Sequence, residues 1–500
     1  MRLIDLTGGV HGARLLAPGG RDVPAAADAA ATTHVAAIRY RSADVGPGDL
    51  FACLVGGRAD GHDFAADAVT RGASALVVER ALDLPVPQVL VPDSRVAMAL
   101  MGAVLEGDPS ANMTVVGITG TNGKTTSAYL AHAVLEAAGM QCGVIGTVEI
   151  RIGGRSSVPT HTTPESTETQ GLLARMRDSG DTACAIEVSS HALAQHRVAG
   201  LHFAAAIFTN LTRDHLDFHG DEASYFQAKR LLFARPGGEG ANPPGAVNLD
   251  DPAGRRLADE LGLLGFGIDA PDADVAPEVL EMTAQGFTAT VRTPRGSLHI
   301  ASPLRGRFNV ENVLGVVAMG ELLGLDHTAV ARGISLVQGV PGRLEPIDMG
   351  QPFQVLVDYA HTPDSLENVL RTTRDLAGDG RLIVLFGCGG DRDTGKRPQM
   401  GAIGRALSDV CIVTSDNPRS EDPDAIIQQI VAGAGHGPAD LLVQADRRLA
   451  IATAIDAARP GDVVVIAGKG HESGQEVAGV VTPFDDRQVA REVLGTRRAA

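Results

Sequence analysis

The sequence predicts an α/β protein of about three domains, with a phosphate-binding loop in the middle one and a doubly wound, Rossmann-like sheet in the last. Three observations carry that expectation. The chain has 500 residues, and domains run to roughly 100–200 residues each. Short apolar runs alternate with helical patterns along most of it, as α/β architecture requires. At the start of the expected second domain, an apolar run enters a glycine-rich turn and leaves it as a helix, over Gly117–Thr126.

The predicted domains are 1–110, 111–338 and 339–500. In the first, LFACL (50–54), ALVVE (75–79) and QVLVP (88–92) read as strands within an alternating stretch at 34–106. A helix starts near Ser94, read as its N-cap, and runs through VAMALMGAVLE. The polar GDPSANM at 107–113 reads as a linker. The second domain opens on the strand MTVVGIT at 113–119. Its next helix carries Leu130, Val134, Leu135 and Ala138 on one face and stops at Gly139. ARPGGEGANPPG at 234–245 is a loop by composition. Residues 270–301, with FTATV and SLHIA around a TPRG turn, read as an antiparallel hairpin. The third domain has strands at QVLVDYA (354–360), RLIVLFG (381–387), VCIVTSD (410–416) and DVVVIAG (462–468), separated by helical patterns.

Composition narrows the function. The formal net charge of −17 argues against nucleic acid as a partner. No run approaches the ~20 apolar residues of a membrane helix. The N-terminus lacks the basic start and apolar stretch of a secretory signal. Cys53, Cys142, Cys184, Cys388 and Cys411 are scattered and form no CxxC pair, which fits reduced thiols in a cytoplasmic protein.

The strongest local signal is GITGTNGKTT at 117–126. Glycines let backbone N–H groups approach phosphate oxygens, and the helix N-terminus adds a positive dipole end. Gly120, Thr121, Asn122, Gly123, Lys124, Thr125 and Thr126 are therefore candidate ATP-binding residues. Lys124 would neutralise phosphate charge and Thr125 would offer a hydroxyl to Mg²⁺. The spacing is not that of a strict P-loop, since Ile118 stands at the first glycine position. The strand in ACAIEVSSH at 183–191 ends in Glu187, a carboxylate placed to hold Mg²⁺ or orient a nucleophile. FTNLTRDHLDFHG at 208–220 packs two aspartates and two histidines between Asp214 and His219. By itself that cluster reads equally as a metal or phosphate site and as a solvated turn.

Together and in order, GTNGKTT (120–126), EVSSH (187–191), TNLTRDHLDFHG (209–220), GRFNVEN (306–312), PGRLE (341–345) and DYAHTPDSL (358–366) resemble the signatures of the Mur ligases. The match covers nearly the whole chain. It implies the three-domain Mur ligase architecture and an ATP- and Mg²⁺-dependent ligase of peptidoglycan synthesis, expected to be a monomer. Within the family, the details resemble the ligase adding meso-2,6-diaminopimelate to UDP-N-acetylmuramoyl-L-alanyl-D-glutamate. RSADVGPGDLFACLVGGRADGHDF at 41–64 resembles the uridine-nucleotide segment, with Ser42 as a contact. The family usually has Asp-Ser-Arg there, where this chain has Arg41 and Ala43 around the serine. HTTPES at 161–166 and SSHALAQHR at 189–197 resemble the muramyl-peptide segments, which implies contacts from Thr162, Thr163, Ser189, Gln195 and Arg197. The resemblance further implies that Lys229 is carbamylated (N6-carboxylysine) and, with His215, holds a second Mg²⁺. It places Asn309, Asn312, Arg343 and His361 near ATP. An ordinary surface lysine is the alternative reading of Lys229.

The incoming amino acid belongs to the last domain, at the loops after its strands: GGDRDTGKRP (389–398), DNPR (416–419) and GKGHE (468–472). A guanidinium matches a carboxylate in two-pronged fashion and a carboxylate matches an ammonium. Arg392, Asp416, Asn417, Pro418, Arg419, Gly468 and Glu472 form the expected pocket, and DNPR resembles the diaminopimelate-specific form. Amide formation from a carboxylate is uphill, so an acyl phosphate made from ATP is the expected intermediate, with Lys124, Glu187, His215 and Lys229 as the catalytic set. Two alternatives stand beside this. A sibling ligase, of another Mur or folylpolyglutamate type, would share the middle domain but not the first domain's signature or DNPR. A P-loop switch or kinase would leave DNPR and GKGHE unexplained.

Overall fold

The computed structural model describes residues 1–57, 59–235, 241–283 and 285–499. Residues 236–240 of the loop expected at 234–245 lie outside the described residues. The chain divides into two compact units, one of residues 1–119, 139–207 and 227–245, the other of 120–138, 208–226 and 246–500.

The first unit holds two sheets. The N-terminal sheet has β1 (Arg14–Leu16), β2 (Ile38–Arg39), β3 (Leu50–Ala52), β4 (Ala75–Val78) and β5 (Gln88–Leu90) in the order β1-β5-β4-β3-β2. Only β1 runs antiparallel to its neighbour. Leu50, Ala75, Val77 and Val89 sit on one face, against Ala97, Met98 and Met101 of the helix Ser94–Leu105. The cap of that helix differs from expectation. Asp93 is the N-cap and accepts from Arg95 and Val96 N–H, whereas the Ser94 hydroxyl donates to Cys53 O and to Glu79. Both residues are cap formers, and burial decides between them: Ser94 is inside, where its hydroxyl needs partners. The expected linker at 107–113 lies between the helix Ser94–Leu105 and the strand Thr114–Thr119. It contains a short helical turn, Pro109–Asn112, whose Pro109 and Ser110 are buried. His202 N–H donates to Ser110 Oγ, and its ring contacts Asp108 at 3.1 Å.

The second sheet of this unit contains β6 (Thr114–Thr119), β7 (Cys142–Ile145), β8 (Ile150–Ile152), β9 (Arg155–Ser157), β10 (Ala183–Glu187) and β11 (Ala205–Phe208), in the order β11-β6-β10-β7-β8-β9. β6, β10 and β7 are parallel and buried on both faces, which is why they read as continuous apolar runs.

In the second unit, the helix Lys124–Ala137 ends where expected, and Gly139 takes φ +87° just past it. β12 (Gly245–Asn248) pairs in parallel with β13 (Leu264–Phe266). The expected hairpin is a three-stranded antiparallel sheet of β14 (Ala276–Thr283), β15 (Gly286–Thr293) and β16 (Gly296–Ser302). The last sheet has β17 (Glu345–Pro346), β18 (Gln354–Asp358), β19 (Leu382–Phe386), β20 (Val410–Val413), β21 (Asp440–Val443) and β22 (Val463–Ala467), in the order β17-β18-β22-β19-β20-β21. All but β17 are parallel, and apolar clusters cover both faces, as in a doubly wound fold. A small hairpin, β23 (Gly474–Val477) and β24 (Val480–Pro483), follows.

Candidate active site

The phosphate loop is shaped by two close approaches. Gly120 takes φ +147°, and a Cβ there would fall on Thr209 Oγ1. Gly123 takes φ +86°, and its Cβ would fall on Asn312 Oδ1. Neither position accepts a side chain, on conformational and on steric grounds. The loop is then tied down from outside. Asn122 N–H donates to Asn210 Oδ1 (2.8 Å), Asn122 Nδ2 donates to Asp364 (2.8 Å), and the Thr121 and Tyr225 hydroxyls meet at 3.1 Å. Lys124 Nζ donates to Gly120 O (3.0 Å) and Thr121 O (2.8 Å), so its charge is carried over the loop. Thr126 is buried in the first turn of the helix.

Asn312 links that helix to Arg307–Leu322, since Ser127 Oγ donates to its Oδ1 and its Nδ2 donates to Asn309 Oδ1. The Arg343 guanidinium lies 4.6 Å over the Tyr359 ring and donates to Thr125 Oγ1 (3.0 Å). Asp358, buried at the end of β18, accepts from Leu344 N–H and Ala360 N–H, fixing the residues that follow Arg343 and precede His361. His361 contacts Tyr359 O through Nδ1 (2.7 Å). Burial, and then the Lys396 cation, hold its imidazole down to about 4. Lys396 Nζ in turn donates to His361 O (2.8 Å). Burial pushes the Asp214 carboxyl up, but His215, His361 and Lys396 outweigh it and hold it below the usual range. His215 has a left-handed backbone (φ +54°) and its Nε2 lies 3.3 Å from Asp214. Among the described residues no three His, Cys, Asp or Glu side chains are grouped as a metal would need.

In the first unit, Glu187 pairs in register with Ile118, so its carboxyl stands at the strand end from which the phosphate loop departs. It is 1% exposed and accepts from Thr147 N–H (2.8 Å) and the Thr147 hydroxyl (3.0 Å). A Cβ on Gly146 would fall on its Oε1, so that glycine makes the space. The muramyl-peptide candidates form one network here. The Thr163 hydroxyl donates to Glu187 O (2.7 Å) and accepts from Ser189 N–H, and the Thr162 hydroxyl meets that of Thr147 (3.0 Å). Arg197 donates to Thr163 O and to Gln195 Oε1 and lies 2.9 Å from Glu165. Ser42 sits apart in a short helical turn, Ser42–Asp44, and with Arg71 holds the Asp67 carboxyl below its usual range, Arg71 more strongly. Lys229 is 1% exposed, which excludes the surface-lysine alternative.

The amino-acid candidates meet at the carboxyl ends of β19, β20 and β22. Asn417 Nδ2 donates to Glu472 (2.9 Å), while Lys469 Nζ donates to both Asn417 Oδ1 and Glu472 (3.0 Å each). Arg419, at φ +52°, donates to Gly390 O (2.7 Å) and lies 3.5 Å from Glu476. A Cβ on Gly389 would meet Arg419 Nη1 on one side and Arg392 on the other. One on Gly390 would fall on Pro418 O, and one on Gly468 would meet Asp416 at 2.6 Å. The hairpin β23–β24 clasps this loop: Gln475 Nε2 donates to Asp416 O and Glu476 N–H donates to Asn417 Oδ1. Sequence reasoning missed Lys396, Lys469, Asp358 and Glu476 as members of these clusters. The first three stand in GKRP, GKGHE and DYAHTP, whereas no pattern marks Glu476.

Comparison with known proteins fits this arrangement. Residues 34–105 match the Mur ligase family catalytic domain, 118–320 the Mur ligase middle domain, and 342–470 the Mur ligase glutamate ligase domain. The UDP-N-acetylmuramoyl-L-alanyl-D-glutamate–2,6-diaminopimelate ligase of Solibacter usitatus is 46% identical over 470 residues, covering 93% of this chain and 94% of the relative. That of Streptomyces coelicolor is 45% identical over 476 residues, covering 93% of each. A solved structure of a ligase of the same name aligns with a TM-score of 0.66 at 32% identity, over 93% of this chain and 95% of its own. A MurF ligase from Thermotoga maritima in complex with ADP shares the fold at 19% identity and a TM-score of 0.62. With similarity of this extent running through the whole series of motifs, the chain belongs to the Mur ligase family.

Proposed function

We propose that the chain is an ATP-dependent ligase that joins meso-diaminopimelate to the D-glutamate γ-carboxylate of UDP-N-acetylmuramoyl-L-alanyl-D-glutamate, a step of peptidoglycan synthesis. The observation that carries this reading is the 45–46% identity, over 93% of the chain, to ligases of that name. The pocket chemistry supports it: Arg419 offers a guanidinium for the distal carboxylate, and Glu472 a carboxylate for the distal ammonium. Domains 1–110, 111–338 and 339–500 would serve the uridine nucleotide, ATP and the amino acid respectively.

The γ-carboxylate oxygen attacks the γ-phosphorus of ATP and ADP leaves, giving an acyl phosphate. The diaminopimelate amine then attacks that carbonyl carbon, phosphate departs, and the amine proton passes to solvent. Lys124 and the N–H groups at the start of the helix Lys124–Ala137 meet charge on the transferring phosphoryl group, and Asn309, Asn312, Arg343 and His361 hold the nucleotide. No nucleophile–base pair is needed, because positioning and electrostatics suffice. The Thr125 hydroxyl in one unit and the Glu187 carboxylate in the other are each a hard oxygen donor of the kind Mg²⁺ takes, and a bound ion would supply neutralisation of phosphate charge. Lys229 fits a second ion only as a carbamate. As a carbamate, the buried Lys229 would present negatively charged oxygens to that ion. The protein acts as a cytoplasmic monomer with neither nucleic acid nor membrane as partner. No described helix is long and apolar enough to cross a membrane.

The test is phosphate release with ATP, Mg²⁺ and UDP-N-acetylmuramoyl-L-alanyl-D-glutamate, adding either meso-diaminopimelate or L-lysine. Release with diaminopimelate alone is expected. Release with lysine alone would keep the ligase and overturn the pocket assignment, and release with neither would overturn the function.

A further inference from the structure

Two helices of the last sheet's surround begin with opposite charges that are wholly hidden. Arg447 opens the helix Arg447–Ala457, Asp486 opens the helix Asp486–Ala499, and both side chains are 0% exposed. The guanidinium grips the carboxylate with two prongs, Nε to Oδ1 at 2.8 Å and Nη2 to Oδ2 at 2.6 Å. Its remaining donors reach two backbone carbonyls: Nη2 to Ala467 O (2.9 Å) and Nη1 to Ser415 O (3.3 Å). Those carbonyls belong to the residues directly before Gly468 and Asp416, where the two amino-acid loops leave β22 and β20. Burial works against the charge on Arg447, and Asp486, then Asp416 and Glu472, outweigh it. A Cβ on Gly468 would meet Asp416 Oδ2 at 2.6 Å and Arg447 Nη2 at 3.8 Å, so all three converge on one point.

A buried ion pair is weak support for stability, since apolar residues of similar volume often replace one without loss. Fixed geometry is what it does supply. Only a planar fork can bind a carboxylate on one edge while reaching two separate carbonyls on the other, which an ammonium on a flexible stem cannot do.

We propose that Arg447, anchored by Asp486, is a positioning residue for the incoming amino acid: it sets the DNPR and GKGHE loops against each other and so determines affinity and selectivity for the diamino acid. It touches no substrate. Lys469 ties the same loops at their tips through Asn417 and Glu472, and Arg447 ties them at their roots. The inference rests on the ligase reading above.

The test compares the wild-type chain with R447K, D486N and the apolar double variant R447M/D486L, measuring KM for meso-diaminopimelate, KM for ATP, kcat, and the rate ratio of meso-diaminopimelate to L-lysine. The expected result is a KM for diaminopimelate raised about tenfold or more in the double variant. KM for ATP and kcat should stay within about threefold, and the preference over lysine should fall. R447K should show the same split in smaller degree. If the double variant does not fold, R447K and D486N carry the test with the same outcomes. Folded variants with wild-type KM for diaminopimelate, or with all three constants moved in proportion, would overturn the inference. A wild-type chain that releases no phosphate in response to diaminopimelate overturns the ligase reading instead, so the two failures are distinct.

Discussion

Arg419 is the side chain on which selectivity for the far end of the diamino acid turns in this reading. Its partly buried guanidinium donates to Gly390 O and lies 3.5 Å from Glu476. R419A should lower kcat/KM for meso-diaminopimelate by about 10- to 100-fold, the effect of losing a hydrogen-bonded charge of ~1.5–3 kcal/mol. The rate with L-lysine should change far less, and paired assays would show it. Lys229 offers a second check at this scale. If it works as a carbamate, activity in CO₂-depleted buffer should fall and return on adding bicarbonate, and K229R should show neither response. Glu311 gives a signature independent of catalysis. Burial first, and then Asp250, lift its carboxyl to about 7 from a reference of 4.5. The folded chain therefore holds a proton there that the unfolded chain releases. The contribution to stability is complete below pH 4.5 and is lost as pH rises through about 7. Glu311→Gln keeps an acceptor for Asn248 Nδ2 and removes the titration. Denaturant unfolding should find it more stable than wild type by about 3 kcal/mol near pH 8. The gap should close toward pH 4.5; a constant gap would contradict the assignment.

At the scale of elements, the two special glycines of the phosphate loop predict a sharp local sensitivity. G123A must place a side chain at φ +86° and against Asn312, so a loss of about 1–3 kcal/mol in unfolding free energy is expected, with a raised KM for ATP. The same elements show what a sequence discloses. β6, β10, β19, β20 and β22 are legible because parallel strands buried on both faces must be apolar throughout. β21, DLLV, escapes because it is an edge strand with mostly exposed residues, and β23–β24 escapes because its stability comes from clasping the DNPR loop rather than from a core. Lys124 and Thr125 could be nominated from the sequence because the chemistry expected of them needs a fixed local spacing. Arg447 and Asp486 were not, because nothing in RRLAI or DDRQV tells an arginine inside from one in water. The cap beside Ser94 was misplaced by one residue for the same reason. D93A should cost about 1 kcal/mol as a lost N-cap.

At the scale of the whole molecule, the proposed ligands divide between the two compact units. Ser42, Thr162, Thr163, Ser189, Gln195 and Arg197 belong to the first, whereas Gly120–Thr126, Asn309, Asn312, Arg343 and Arg419 belong to the second. Hydrogen exchange should therefore respond unit by unit. The UDP-linked muramyl peptide should slow amides around Thr163–Arg197, and ATP with Mg²⁺ should slow those of the phosphate loop and the helix Arg307–Leu322. Protection of the first unit by ATP alone, with none in the second, would contradict the assignment of residues to ligands. A different consequence follows from the fit of Gly123 against Asn312. Two segments far apart in the gene share one atom's worth of space, so neither can drift alone. A bulkier residue at 123 would still be strained at φ +86° and would find room only where 312 had first been shortened, and that shortening breaks the bond from Ser127 and leaves the nucleotide pocket impaired in the meantime. The present pairing is thus an evolutionary dead end in the useful sense: mutation can reach its neighbours in sequence space only through intermediates that work worse.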